Sequence, residues 1–167
     1  FKKLITRDRR AEIYYQQIRL ITKDLSNKKL LIFGPRNVHE LYLAWLYGFK
    51  WENIKSIDLY STHPNIEIMD MNNLTFPENT FDCVVMANIL PYSENTERTI
   101  MQVSSVLKPS GIFSFGGNFS LGSDRWHGNK IDGKVIYEFL KKSSMRVFVH
   151  NPIERNNSLG VRQTINN

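Results

Sequence analysis

Short apolar runs alternate with stretches of helical periodicity from residue 30 onward. The runs at Leu30–Phe33, 56–59, 66–69, Phe81–Ala87 and 112–115 predict five buried strands. Between and after them, apolar residues recur at helical spacing in 38–47, with Val38, Leu41 and Trp45 on one face, and in 93–107 and 132–140. This alternation predicts βα units on a mostly parallel sheet. Two last apolar stretches, 145–150 and 160–165, leave no room for a helix between them, so we expect an antiparallel pair.

A basic amphipathic segment precedes the first strand. Tyr14, Ile18, Ile21 and Leu25 follow a helical period, and Asp8 is a candidate N-cap. Two interpretations stay open: a basic helix that contacts RNA or an anionic surface, or a helix packed on the domain with a basic solvent face. We favour the packed helix, because charge runs are commonly solvated faces.

Composition and charge limit the organisation and the partners. The 167 residues, 41% apolar and 23% charged, predict one domain over 1–167, with a basic N-terminal helix in 1–28 and a core in 29–167. The net charge is +6, and all of the excess falls in residues 1–29, which hold nine basic and three acidic residues. The rest of the chain has no net charge, which argues against a nucleic-acid partner.

The chain shows no apolar run of the roughly 18 residues that a membrane span needs, and no apolar leader follows Phe1. Its single cysteine, Cys83, cannot form an internal disulfide. We therefore expect no membrane partner, no signal peptide and a cytoplasmic location.

Polar residues follow the predicted strands. Gly34 follows the first strand, and Asp58 lies 24 residues later. This spacing suits a carboxylate that accepts hydrogen bonds from the two hydroxyls of a ribose. Asp70 follows the third strand and Asn88 the fourth. Three alternatives stay open: a solvated carboxylate for Asp58, a turn formed with Asn72 for Asp70, and helix packing for Tyr92.

Four segments resemble class I S-adenosylmethionine-dependent methyltransferases. They are Ser-Ile-Asp-Leu-Tyr at 56–60, Ile-Met-Asp-Met at 68–71, Leu-Thr-Phe-Pro-Glu-Asn-Thr-Phe-Asp-Cys-Val-Val at 74–85 and Val-Leu-Lys-Pro-Ser-Gly at 106–111. The resemblance implies a three-layer Rossmann-like α/β fold whose mostly parallel seven-stranded sheet ends in a C-terminal antiparallel hairpin.

The same resemblance implies S-adenosyl-L-methionine as cofactor and a role for each matching position. The Gly34 loop would pass beneath the methionine part, Asp58 would hold the ribose hydroxyls, and Asp70 would accept the adenine amino group. The full cofactor set is Gly34, Pro35, Arg36, Asp58, Leu59, Tyr60, Asp70, Met71, Asn88 and Ile89.

The chain departs from the family around the first strand. Where the family has an acid and a Gly-x-Gly-x-Gly loop, this sequence has Ile32, Pro35, Arg36 and Val38. Pro35 removes an N–H donor, and Arg36 could clasp the methionine carboxylate. Glu40 is the nearest replacement acid.

No catalytic base is evident after the fourth strand, where related enzymes often carry Glu-His and this chain has Pro91 and Tyr92. The remaining candidates are Tyr92, Asp124 and His127, although His127 could equally be an exposed loop histidine. The scattered histidines do not indicate a metal.

Two functions follow from these observations. The first is methyl transfer to a small-molecule, possibly sugar-like, acceptor. The second is a catalytically inactive methyltransferase-like binding or partner module, which the altered glycine loop motivates. A nicotinamide-dependent enzyme is disfavoured because Gly-x-Gly-x-x-Gly is absent.

Overall fold

A computed structural model describes residues 9–35, 37–117, 119–120, 132–148, 158–159 and 164–166. The helices in it are α1 (Arg9–Ile21), α2 (His39–Leu46), α3 (Thr96–Val106) and α4 (Gly133–Lys142). The strands are β1 (Leu30–Phe33), β2 (Ile54–Asp58), β3 (Glu67–Ile68), β4 (Phe81–Ala87), β5 (Leu107–Gly116), β6 (Phe119–Ser120), β7 (Met145–Arg146), β8 (Ser158–Leu159) and β9 (Thr164–Asn166).

Five parallel strands form the body of the sheet in the order β3-β2-β1-β4-β5. This confirms the mostly parallel α/β arrangement. Beyond β5, the short β9 pairs antiparallel with β5, and β7 pairs antiparallel with β9. Residues 149–157 and 160–163 lie outside the described part of the chain, so the predicted C-terminal hairpin stays a prediction.

Helices cover both faces of the sheet because the strands are apolar on both sides, as buried parallel strands are. Leu30 and Ile32 of β1 join a core with residues of α1 and α2. Leu31 and Phe33 point the other way and join a core with residues of α3 and α4. The chain therefore has three layers, with the sheet in the middle.

Helix α1 packs on the sheet, which supports the packed-helix interpretation. Tyr14, Tyr15 and Ile18 are fully buried. The Ser114 hydroxyl of β5 donates to the backbone oxygen of Tyr14 at 3.3 Å and contacts Gln17 Oε1 at 3.2 Å. The candidate cap Asp8 lies outside the described residues.

Three local expectations were wrong. Trp45 was expected on the packed face of its helix, but its side chain is 52% exposed. The third helix was expected from residue 93 and begins at Thr96, because Asn95 is its N-cap: the backbone there is extended and the side chain accepts a hydrogen bond from the Arg98 N–H. Strand β5 begins at Leu107, which pairs with Phe81, rather than at 112; Lys-Pro-Ser-Gly then forms an irregularity before pairing resumes at Ile112 opposite Cys83.

An ion-pair cluster closes the amino end of the sheet. Asp82 Oδ2 accepts hydrogen bonds from Lys108 Nζ at 2.8 Å and from the Lys29 backbone at 2.9 Å, and Lys28 Nζ lies 3.7 Å from Oδ1. Burial raises the pKa of Asp82, but these hydrogen bonds and charges outweigh it, so the pKa lies below its ordinary value. The charged carboxylate thus links β4 to β5 and to the segment before β1.

We expect Asp82→Asn to lower the free energy of unfolding by about 1–2 kcal/mol at pH 7, the usual cost of losing a charge-assisted hydrogen bond. Because the pKa of Asp82 is lowered in the folded chain, its contribution is present above the pKa of the unfolded state and fades as pH falls. Urea unfolding at pH 7 and near pH 3 should show the difference shrink. Glu78→Gln, at an exposed carboxylate, is the matched control, and a pH-independent difference would contradict the assignment.

Candidate cofactor site

The carboxyl ends of the parallel strands are joined edge to edge. The Gly34 N–H donates to the Ile57 oxygen at 2.8 Å, and the Met69 N–H donates to the Asp58 oxygen at 3.0 Å. The Asn88 N–H donates to the Gly116 oxygen at 2.8 Å. These bonds bring the ends of β1, β2, β3, β4 and β5 into one row. In open α/β sheets this edge is where ligands bind.

Gly34 and Ile89, both expected in the cofactor site, contact each other directly. Gly34 has φ +58°, a left-handed conformation that costs a non-glycine residue energy. A Cβ built on Gly34 would lie 2.6 Å from Ile89 Cδ1. Two features therefore favour glycine at position 34: the left-handed backbone conformation, and the Ile89 side chain, which occupies the space that a Cβ would need.

The rest of the first turn is only partly described. Pro35 is buried, and Arg36 lies outside the described residues. Asn37 Oδ1 accepts a hydrogen bond from the His39 N–H at 2.9 Å at the start of α2, and Glu40 in that first turn is buried. The expected replacement acid therefore lies in the first turn of α2.

Asp58 ends β2 with a loosely held carboxylate. Its only hydrogen bond within the described residues is from the Tyr60 N–H at 3.5 Å, a length at which little energy is gained. Leu59 and Tyr60 follow it and are 65% and 76% exposed. A carboxylate that can still accept two hydrogen bonds thus stands beside an open apolar and aromatic surface.

Asp70 forms the turn with Asn72 that was one of its two interpretations. Asp70 Oδ1 accepts hydrogen bonds from the Asn72 backbone at 2.8 Å and from Asn72 Nδ2 at 3.0 Å. Oδ2 accepts none from the described residues, so the turn leaves one carboxylate oxygen for a ligand. Met71, half-buried, packs against the core on the α3 and α4 side.

The segment after β4 turns sharply into the site. Asn88 has φ +61°, a left-handed conformation that asparagine tolerates better than most residues. A 3₁₀ turn over Leu90–Tyr92 follows, and the Tyr92 ring is half-exposed there rather than packed in the core. Of the three candidate catalytic residues, Tyr92 is described and lies at this edge; Asp124 and His127 fall outside the described part of the chain.

Tyr14 is a site candidate that the sequence did not reveal. A Cβ built on Gly116, at the end of β5, would lie 2.6 Å from the Tyr14 hydroxyl oxygen. The hydroxyl therefore reaches the strand end that borders Asn88. The helical spacing of Tyr14 predicts that its ring packs on the domain. Nothing in the sequence indicates which strand end its hydroxyl would reach.

A small cavity of about 120 Å³ lies at the other end of the sheet, beside the Asp82 cluster. It is lined by Lys28, Asp82, Cys83 and Lys108 among others. Burial, and then the Asp82 charge, raise the pKa of the Cys83 thiol to about 12, so the thiol stays protonated.

Neither a membrane nor a metal site emerges from the described ranges. No helix in them combines the length and apolar character of a membrane span. No group of His, Cys, Asp or Glu side chains in the same ranges could hold a metal ion.

Residues 50–115 match the family described as "Methyltransferase domain". A curated relative is the mitochondrial arginine-hydroxylase NDUFAF5 of Rattus norvegicus, 42% identical over 59 residues. That match covers 33% of this chain and 17% of the relative, so it compares a small part of a much longer protein.

Solved structures share the fold at low sequence identity. A SAM-dependent methyltransferase from Aquifex aeolicus is 16% identical with TM-score 0.66, covering 98% of this chain and 97% of that one. The 1,6-didemethyltoxoflavin-N1-methyltransferase from Burkholderia thailandensis, solved with bound 1,6-didemethyltoxoflavin and S-adenosylhomocysteine, is 11% identical with TM-score 0.68, covering 98% of this chain and 80% of that one. The cyclase SpnF is 17% identical with TM-score 0.68, covering 87% and 62%. The chain thus has the fold of the class I S-adenosylmethionine-dependent methyltransferases, and its residues 50–115 are similar to a methyltransferase domain family.

Proposed function

We propose that the chain binds S-adenosylmethionine at the carboxyl edge of its sheet and transfers the methyl group to a small-molecule acceptor. The observation that carries this proposal is the pair of carboxylates at neighbouring strand ends. Asp58 pairs in register with Ile68, so Asp70 lies just beyond it on the adjacent strand. Each carboxylate retains hydrogen-bonding capacity, as described above.

The residues present fit the adenosine part of the cofactor. The Asp58 carboxylate can accept both ribose hydroxyls, since a single long contact with Tyr60 is all that holds it among the described residues. The exposed Leu59 and Tyr60 side chains offer apolar and aromatic surface to a purine ring. Asp70 Oδ2 can accept an exocyclic amino group, and the Met71 backbone would face a ring nitrogen.

The methionine part would meet the narrower end of the site. Gly34 and Ile89, in contact with each other, would line this end. Pro35 offers no N–H donor, so a methionine carboxylate would depend on Arg36 rather than on the loop backbone. Asn88 and Ile89 would form the floor of this part.

The bound cofactor supplies an activated methyl group on a sulfonium, so the protein mainly has to align the acceptor and exclude water. Holding the acceptor in line at roughly 3 Å can supply most of the acceleration. Tyr92 and the Tyr14 hydroxyl border the strand ends where an acceptor would lie. We propose Tyr92, with Asp124 and His127, as the groups that orient or deprotonate it.

Incubating the full chain with isotopically labelled S-adenosylmethionine and a panel of small hydroxyl, amine and sugar acceptors tests this function. We expect S-adenosylhomocysteine to accumulate with at least one acceptor and label to appear on it. The variant Asp58→Ala should lose turnover. Its matched control is Glu67→Ala, at an exposed position of β3, which should keep turnover. Tight cofactor binding without transfer to any acceptor would instead favour the binding-module alternative.

The relative named an arginine-hydroxylase makes a second reaction at the same site worth testing. Its 42% identity over 59 residues is the observation that favours it. An arginine-containing peptide belongs in a second arm of the panel that also contains dioxygen and a two-electron reductant, since hydroxylation places one oxygen atom on the peptide and reduces the other to water. Mass spectrometry distinguishes added oxygen from an added methyl group. The cytoplasmic location and the small, sugar-like acceptor remain our proposals.

A further inference from the structure

A buried polar cluster connects the candidate adenine contact to the segment after β4. Asn72 is 9% exposed, and Ser93 and Thr99 are fully buried. Asn72 Oδ1 accepts hydrogen bonds from the Ser93 hydroxyl at 3.0 Å and from the Thr99 hydroxyl at 2.9 Å. The two hydroxyls lie 2.7 Å apart. Side chains far apart in the sequence are thus joined around one amide.

The Asp70 carboxylate fixes which way the Asn72 amide points, because a carboxylate only accepts, whereas the two hydroxyls can bond to either end of an amide. With Oδ1 accepting from two hydroxyls, Nδ2 donates to Asp70 Oδ1 at 3.0 Å. The opposite orientation would place the amide oxygen against a carboxylate oxygen and lose that bond. The Asn72 backbone N–H adds a second bond to the same Asp70 oxygen at 2.8 Å.

The consequence falls on Asp70, whose side chain is exposed. An exposed carboxylate ordinarily samples several rotamers, and ordering it on binding costs free energy. The two hydrogen bonds to Oδ1 restrict the rotamers of Asp70 before any ligand binds. The oxygen left over, Oδ2, is the one that a ligand amino group can reach.

We propose that Asn72, held by Ser93 and Thr99, is a positioning residue that orients Asp70 and thereby sets the preference for a 6-amino purine. This inference rests on the proposed cofactor site. A carboxylate accepts from an amino group but is repelled by a carbonyl oxygen, so the preference for adenine over hypoxanthine reports the orientation of Asp70. Asn72 itself would not touch the ligand.

Calorimetric titration of the full chain with S-adenosylhomocysteine and with its hypoxanthine counterpart, S-inosylhomocysteine, tests the inference. We expect the unmodified chain to prefer the adenine ligand by about tenfold or more, since a lost hydrogen bond to a charged group costs about 1.5–3 kcal/mol. Asp70→Ala should abolish the preference. Asn72→Ala should reduce it about three- to tenfold, through a less ordered Asp70.

The double variant Asn72→Ala/Asp70→Ala separates an indirect role from a direct one. If Asn72 acts through Asp70, the double variant binds like Asp70→Ala alone; losses that multiply would overturn the inference. The ligand preference is a ratio measured on one sample, so partial unfolding of a variant does not change it. Asn73→Ala, at the exposed neighbouring position, is the control and should keep the full preference.

Thr99→Val provides a milder variant that preserves shape and leaves Asn72 in place. It should reduce the preference about two- to threefold by removing one bond to the amide. An unchanged preference in both Asn72→Ala and Thr99→Val, with Asp70→Ala still impaired, overturns the inference and leaves the cofactor site standing. If the unmodified chain binds neither ligand, the proposed function fails and the inference fails with it.

Discussion

Gly34→Ala should lower the free energy of unfolding by about 2–4 kcal/mol, a large effect for adding one methyl group. Two causes add: a left-handed conformation costs a non-glycine residue about 1–2 kcal/mol, and overpacking costs about 1–3 kcal/mol. The φ of +58° at Gly34 is the source of the first cost, and the 2.6 Å distance between a Cβ at this position and Ile89 Cδ1 is the source of the second. Urea unfolding followed by circular dichroism measures the loss.

Repeating the substitution in an Ile89→Ala background separates the two causes. Truncating Ile89 removes the atoms that the new Cβ would meet, so the cost of Gly34→Ala should fall to about 1–2 kcal/mol, the backbone part alone. An equal cost in both backgrounds would show that Ile89 does not press on Gly34. The result bears on function, because these two residues form the narrow end of the proposed site.

Asp58→Ala should weaken S-adenosylhomocysteine binding about 10- to 100-fold, with little change in stability. The ribose hydroxyls would lose a charged acceptor, a loss of roughly 1.5–3 kcal/mol. The folded chain would lose only one long hydrogen bond to Tyr60, so unfolding should change by less than about 0.5 kcal/mol. Calorimetry and urea unfolding on the same preparations measure both quantities.

Asp58→Asn refines this test because it keeps the shape and one acceptor oxygen while removing the charge. We expect an intermediate loss, since a neutral acceptor forms weaker bonds to hydroxyl groups. Glu67→Ala, on the neighbouring strand, should leave affinity unchanged. Equal affinities for Asp58→Ala and the unmodified chain would remove Asp58 from the site.

Fold elements with continuous apolar runs could be predicted to the residue. Leu30–Phe33 and Phe81–Ala87 were predicted with the bounds that the structure shows, because a strand buried on both faces needs a nearly continuous apolar run, which only Asp82 interrupts here. The start of β5 was missed, because Lys-Pro-Ser-Gly has the composition of a turn, whereas the pairing of Leu107 before it depends on Phe81 of β4. Trp45 was misplaced because periodicity does not show how wide the covering surface is.

The positions of site residues at the strand ends could be predicted from the sequence. The side-chain contacts between distant segments could not. Strand order alone places Asp58, Asp70 and Asn88 at one edge, since parallel strands end on the same side. The contact of Ile89 with Gly34 joins distant parts of the chain, and no local pattern encodes it. The same is true of the hydroxyls that hold Asn72, which in the sequence were ordinary helix-start residues.

Titrating S-adenosylhomocysteine into the full, unmodified chain, with Asp58→Ala alongside, is the most direct measurement of where the cofactor binds. Saturable binding of one ligand per chain, lost or weakened at least tenfold in the variant, is the result we expect. Undetectable heat with the unmodified chain at millimolar ligand, or identical isotherms for both proteins, would contradict an adenosyl site at the ends of β2 and β3.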